Sequence, residues 1–126
     1  MNRLPVRRLL NWFDPRGREP GSWAFILNRI TGLALTFYLF LHLIVLNKLT
    51  QGPQAYDDFL ALTHLPLIKV GELLLIAAVV LHGLNGLRIT LMTVGIGLRH
   101  QKVLFVISLL STVLVSLLFA LRLFGT

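Results

Sequence analysis

Three stretches of this chain are apolar for about the 20 residues that a helix needs to cross a bilayer, and nothing else in the sequence constrains the fold as strongly. They cover residues 24–49, 67–94 and 103–124. In hydrocarbon the backbone N–H and C=O groups have no water to bond, so each stretch must satisfy them internally as a helix. The expected fold is all-α: a transmembrane bundle of three spans forming one small membrane domain, residues 1–126, with a short cytoplasmic N-terminal segment over residues 1–23. With 56% hydrophobic residues and a mean hydropathy of +0.78, the lipid bilayer is the first partner implied.

A net charge of +7 would suggest nucleic acid in a soluble protein, but its distribution here argues for membrane topology and against a nucleic-acid partner. Arg3, Arg7, Arg8, Arg16, Arg18 and Arg29 precede or open the first span, and Arg88, Arg99 and Lys102 flank the second loop. By the positive-inside rule the N-terminus and that loop are cytoplasmic. The first loop carries Asp57 and Asp58, which leaves it and the C-terminus outside. Residues 2–13 set arginines beside leucines, yet the apolar run is too short and too broken by Arg7 and Arg8 for a signal core, so the segment reads as retained. It would lie on the anionic membrane surface or dock on a cytoplasmic partner. The chain has no cysteine, which excludes disulfides, thiolate clusters and covalent haem attachment.

Ionisable residues deep in a span need a reason. The second span holds His82, followed by Gly86 and Arg88 in the pattern His-x3-Gly-x-Arg, with Gly83 adjacent and Asn85 and Ile89 near the same face. The small residues permit close approach by a porphyrin or by a neighbouring helix, and spacing alone does not separate the two. The first span holds His42 on a face with Thr31, Leu35 and Tyr38, while Arg29 lines up with Gly32 and Thr36 on another. His82 lies nearer the basic cytoplasmic end and His42 nearer the outer side, an offset that suits two stacked sites better than one. In the third span Ser108, Thr112, Ser116 and Ala120 recur every four residues, the small-residue pattern of a packing helix, and no chemistry is assigned to it.

Asn28-Arg29-Ile30-Thr31-Gly32 resembles the His-Arg-x-Ser/Thr-Gly signature of the cytochrome b subunit of succinate dehydrogenase, the C anchor of respiratory complex II. His82-x3-Gly86-x-Arg88 resembles the haem-ligand motif of the same family, and the likeness spans three helices in the expected order. The resemblance implies an anchor in the inner (cytoplasmic) membrane of a prokaryote, which with a second membrane-anchor subunit holds a flavoprotein subunit and an iron–sulfur subunit. Electrons would pass from succinate through flavin and clusters to quinone, with haem b, one or two, shared with the partner subunit. It makes His82 the axial iron ligand of the haem nearer the iron–sulfur subunit and His42 that of the farther haem. Arg29, Arg88, Gly86 and Ser22 join them as cofactor-binding residues, Ser22 serving either quinone or as a helix-start cap.

The chain departs from the pattern at Asn28, where the signature has histidine, at Phe25, where a serine is usual, and at Ile89 and Thr93, where a histidine and an aspartate often follow. These bear on the quinone site more than on the haem. The chain itself carries no succinate-oxidising chemistry. Two other readings of the same residues stand beside this one: a haem-free structural anchor or assembly subunit whose histidines bond across helices, and a transporter component with His42, Glu72 and His82 as a proton path.

Overall fold

The computed structural model of the chain describes residues 19–125; the basic segment up to Arg18, with Arg3, Arg7, Arg8 and Arg16, lies outside them. Among the described residues four α-helices follow in order: α1 Pro20–Leu46, α2 Pro53–Thr63, α3 Pro66–Thr93 and α4 Gln101–Phe124. Three of them, α1, α3 and α4, are long and apolar enough to cross a membrane, with mean hydropathies of 1.9, 2.0 and 2.7 over their spans. Their bounds fall within a few residues of the apolar runs.

Local chemistry sets the ends. Proline stands in the first turn of α1, α2 and α3, where its missing N–H costs nothing and its φ is already helical. At the other end of α3, Ile96 N–H donates to Leu91 O and Gly95 N–H to Met92 O, the paired bonds of a Schellman cap. That cap needs a left-handed residue, which Gly95 supplies at φ 85°, and Gly97 at φ 77° completes the reversal into α4.

The first loop is more ordered than its composition suggests. Asp57 and Asp58 sit on α2, where Gln54 Nε2 donates to Asp58 Oδ1 at 2.9 Å, one turn on. Ala55, Phe59 and Thr63 line its half-buried side while Asp57, Asp58 and Ala61 stay exposed. The helix is amphipathic and only 11 residues long, which suits the membrane surface and not its interior.

The central element is α3, packed along α4 and against α1. The core is confined to one end of the bundle, the end where α1 begins, α3 finishes and α4 begins. Among the described residues every buried one lies there or at mid-helix: Ala24, Ile26 and Thr31 of α1, Asn85 and Arg88 of α3, Phe105, Ser108 and Thr112 of α4. Toward the opposite, far end no described residue of the spans is buried. There Lys69 Nζ donates to Leu123 O at 3.0 Å, placing a cation on the C-terminal carbonyls of α4.

The near end is tied by polar groups. Asn85 is fully buried, its Nδ2 donating to Ala24 O at 2.6 Å, and its Oδ1 accepts from Arg88 Nε at 3.0 Å. Arg88 Nη1 donates to Gln101 O at 3.4 Å and its guanidinium lies 5.5 Å from the Phe105 ring centroid. One amide and one guanidinium therefore touch all three spans. The hydroxyls of Ser108 and Thr112 bond back to Leu104 O and Ser108 O, so the small-residue face of α4 packs without unpaired groups at those positions.

Asn85→Leu removes the amide but keeps the volume, leaving Arg88 Nε without its acceptor. A loss of about 1–3 kcal/mol is expected, read as a lower thermal unfolding midpoint in mild detergent. The exposed Thr36→Ala change should stay within about 0.5 kcal/mol of wild type. An N85L chain as stable as wild type would contradict the tie.

Candidate functional site

His82 is reached late in α3, one turn before Asn85 has locked that helix to α1. Its ring lies against the first half of α1: Nδ1 is 3.1 Å from Asn28 O and 3.1 Å from Thr31 Oγ1. The Thr31 hydroxyl bonds back along its own helix, 2.8 Å from Leu27 O. This close approach depends on Gly32, where an added Cβ would sit 3.1 Å from His82 Cε1.

His82 Nε2 meets no hydrogen-bond partner among the described residues. On the same helix, an added Cβ at Gly83 or Gly86 would touch nothing within 4 Å. An imidazole with Nδ1 engaged and Nε2 unengaged, on a helix with such cleared positions, is an arrangement that a flat ligand with a metal centre can use. Gly86 lies one turn beyond His82 on α3. Among the described residues no group of three or more His, Cys, Asp or Glu side chains converges, so each histidine would act singly.

His42 is set differently. It lies on the same stripe of α1 as Thr31, but along that stripe exposure grows from 8% at Thr31 to 39% at Tyr38, and His42 is exposed. Its Nδ1 is 3.4 Å from Tyr38 Oη and the two rings stack at 5.6 Å. No second helix among the described residues covers it. Since the His82 ring is level with Asn28 to Gly32, His42 lies roughly 15 Å farther along the axis at about 1.5 Å per residue. The structure keeps the two histidines apart.

Arg29 is exposed near the start of α1, its guanidinium 4.3 Å from the Phe25 ring centroid. Ser22 is two turns earlier on the same face, half-buried. It is not the helix cap: α1 begins at Pro20 behind Glu19, whose carbonyl accepts from Ser22 N–H at 2.9 Å. Arg88 faces inward to Asn85 and Gln101, away from Arg29. Asn28 contributes its carbonyl to His82, while its side-chain Oδ1 is buried without a hydrogen-bond partner among the described residues. The parts of the site that spacing did not reveal are Thr31, Gly32 and the Asn28 carbonyl as the seat of His82. Their only sequence signal was the Thr31-Gly32 pair inside the first motif.

A family model for the succinate dehydrogenase/fumarate reductase transmembrane subunit matches residues 7–121. The chain is 39% identical over 93 residues to the succinate dehydrogenase hydrophobic membrane anchor subunit of Halobacterium salinarum, covering 73% of this chain and 72% of that one. It is 36% identical over 87 residues to the succinate dehydrogenase 2 membrane subunit of Mycobacterium tuberculosis, covering 68% of this chain and 64% of that one.

Gly32→Ala drives a methyl onto the His82 ring and is expected to lower stability by about 1–3 kcal/mol through overpacking. Gly86→Ala meets open space and gains helix propensity, so the chain in detergent should unfold no earlier than wild type. Equal unfolding midpoints for the two variants would contradict the seat described for His82.

Proposed function

The chain belongs to the succinate dehydrogenase/fumarate reductase transmembrane-subunit family, and from that premise we propose that it is the haem b-binding anchor of a succinate:quinone oxidoreductase. In this role it tethers the flavoprotein and iron–sulfur subunits to the membrane and passes electrons from the latter to quinone. The observation that carries the reading is the His82 imidazole, bonded through Nδ1 and without a partner at Nε2 among the described residues, on a helix where Gly83 and Gly86 leave open space. When bound, haem b would supply a one-electron carrier inside the membrane and quinone the terminal acceptor.

His82 would hold the haem nearer the iron–sulfur subunit through Nε2. His42, with Tyr38 at its Nδ1, would hold a second haem farther along. Each opposite axial ligand would come from a second membrane subunit, since these are the only histidines within helices α1, α3 and α4. The uncovered far half of the bundle supports such a partner: exposed aromatic and aliphatic side chains line α1 there, and among the described residues His42 is exposed. Arg88 would serve the haem site by fixing α3 through Asn85 and Gln101. The near end would face the cytoplasm, because Arg29, Arg99 and Lys102 gather there, and the catalytic subunits would dock on it.

Arg29 and Ser22 would form this chain's part of the quinone site. A quinone carbonyl gains negative charge as it is reduced, and a fixed guanidinium at the membrane edge stabilises that charge. Its planar fork bonds two oxygens at once, which an ammonium does not.

In the purified complex, His82→Ala should remove one haem signal and weaken association with the partner subunit. His42→Ala should remove only the other and leave the remaining redox transition in place. Unchanged haem content in H82A would overturn the assignment, and a wild type that titrates as a single haem would remove His42 from it. Arg29→Lys should keep haem and succinate oxidation with an artificial acceptor while quinone reduction falls on the order of 10-fold. Quinone reduction at the wild-type rate would leave Arg29 as a charge that sets topology.

A further inference from the structure

The first motif divides by helical face. Arg29 and Ser22 point one way, while Thr31, Gly32 and the Asn28 carbonyl form the seat of His82. We infer that Thr31 is a positioning residue: with the Asn28 carbonyl, its hydroxyl holds His82 as the Nδ1–H tautomer and so keeps the lone pair on Nε2, the ring nitrogen without a hydrogen-bond partner among the described residues.

A carbonyl oxygen has no hydrogen to give, so an Nδ1 lone pair 3.1 Å from Asn28 O would meet another lone pair; Nδ1 must be the donor. Thr31 Oγ1 has one hydrogen and two carbonyls within reach, Leu27 O at 2.8 Å and Asn28 O at 3.1 Å. Spent on the helix, that hydrogen leaves the hydroxyl lone pairs toward Nδ1, 3.1 Å away. Both neighbours of Nδ1 are therefore acceptors, and the Nδ1–H is shared between them. Gly32 lets the ring come close enough for both bonds.

His42 lacks this arrangement. Its Nδ1 partner is a phenol, which can give or take a hydrogen, on its own helix and in an exposed position. The fold thus presets the tautomer of His82 and not that of His42.

For the haem reading, on which this consequence rests, two acceptors on Nδ1–H raise the electron density at Nε2 and favour the oxidised haem. Thr31→Val keeps the shape of the side chain and removes the acceptor; Thr31→Ser keeps the acceptor and removes the methyl. In the assembled complex, the midpoint potential of the near haem should rise in T31V and stay at the wild-type value in T31S. In complex prepared haem-depleted, 15N NMR of histidine-labelled protein should give an Nδ1–H imidazole for His82 in all three proteins, because the Asn28 carbonyl remains, with the Nδ1–H resonance displaced from its wild-type position in T31V alone. Loss of haem from T31V alone would support the same role. A T31V complex with wild-type potential and Nδ1–H resonance would overturn it while leaving the haem reading intact. So would equal changes in T31V and T31S, which would mark Thr31 as packing only. Absence of haem from wild type would overturn the reading itself, and the Nδ1–H resonance would still decide the role of Thr31.

Discussion

The bundle depends on one buried amide. In lipid the hydrophobic effect does not draw helices together, because the tails are as apolar as leucine; close packing and interhelical hydrogen bonds have to do it. Asn85 spends its Nδ2 on the Ala24 carbonyl and its Oδ1 on Arg88, which in turn reaches the start of α4 at Gln101. A guanidinium buried in this way is tolerable because amide, carbonyl and aromatic ring each take part of its charge. The three spans meet at this level and at no other as tightly.

That asymmetry shapes the chemistry. His82 lies within one turn of the tie, so its distance from α1 is set by the same contacts that hold the bundle, and Gly32 sets how near it comes. Rigid placement of an imidazole with one nitrogen engaged is what an axial ligand requires. His42 lies where the described residues of the helices have no shared core. An anchor that is closed at one end and open at the other is incomplete by construction, which is consistent with a subunit of an assembly.

Much of this was legible in the sequence. Length of apolar runs is a strong signal in lipid, and the spans 24–49, 67–94 and 103–124 lie within a few residues of α1, α3 and α4. His82, Gly86 and the offset from His42 followed from helical periodicity. The small-residue face of α4 was visible in the same way. What escaped was α2, because 11 residues with two aspartates carry neither the length nor the hydropathy of a span. Also illegible were the inward turn of Arg88 and the seat of His82 on Asn28, Thr31 and Gly32. Both depend on the axial register between neighbouring helices, which a pattern along one helix does not encode. Ser22 misled for a local reason: Pro20 starts the helix two residues earlier.

The central claim is that this anchor holds haem b through His82. The most direct measurement is the dithionite-reduced minus air-oxidised optical spectrum of the wild-type complex, purified with its partner subunits from the membrane. The account predicts the sharp bands of a six-coordinate b-type haem. A featureless difference spectrum from an intact, succinate-oxidising complex would contradict it, and leave the chain as a haem-free anchor whose His82 serves only to join α3 to α1.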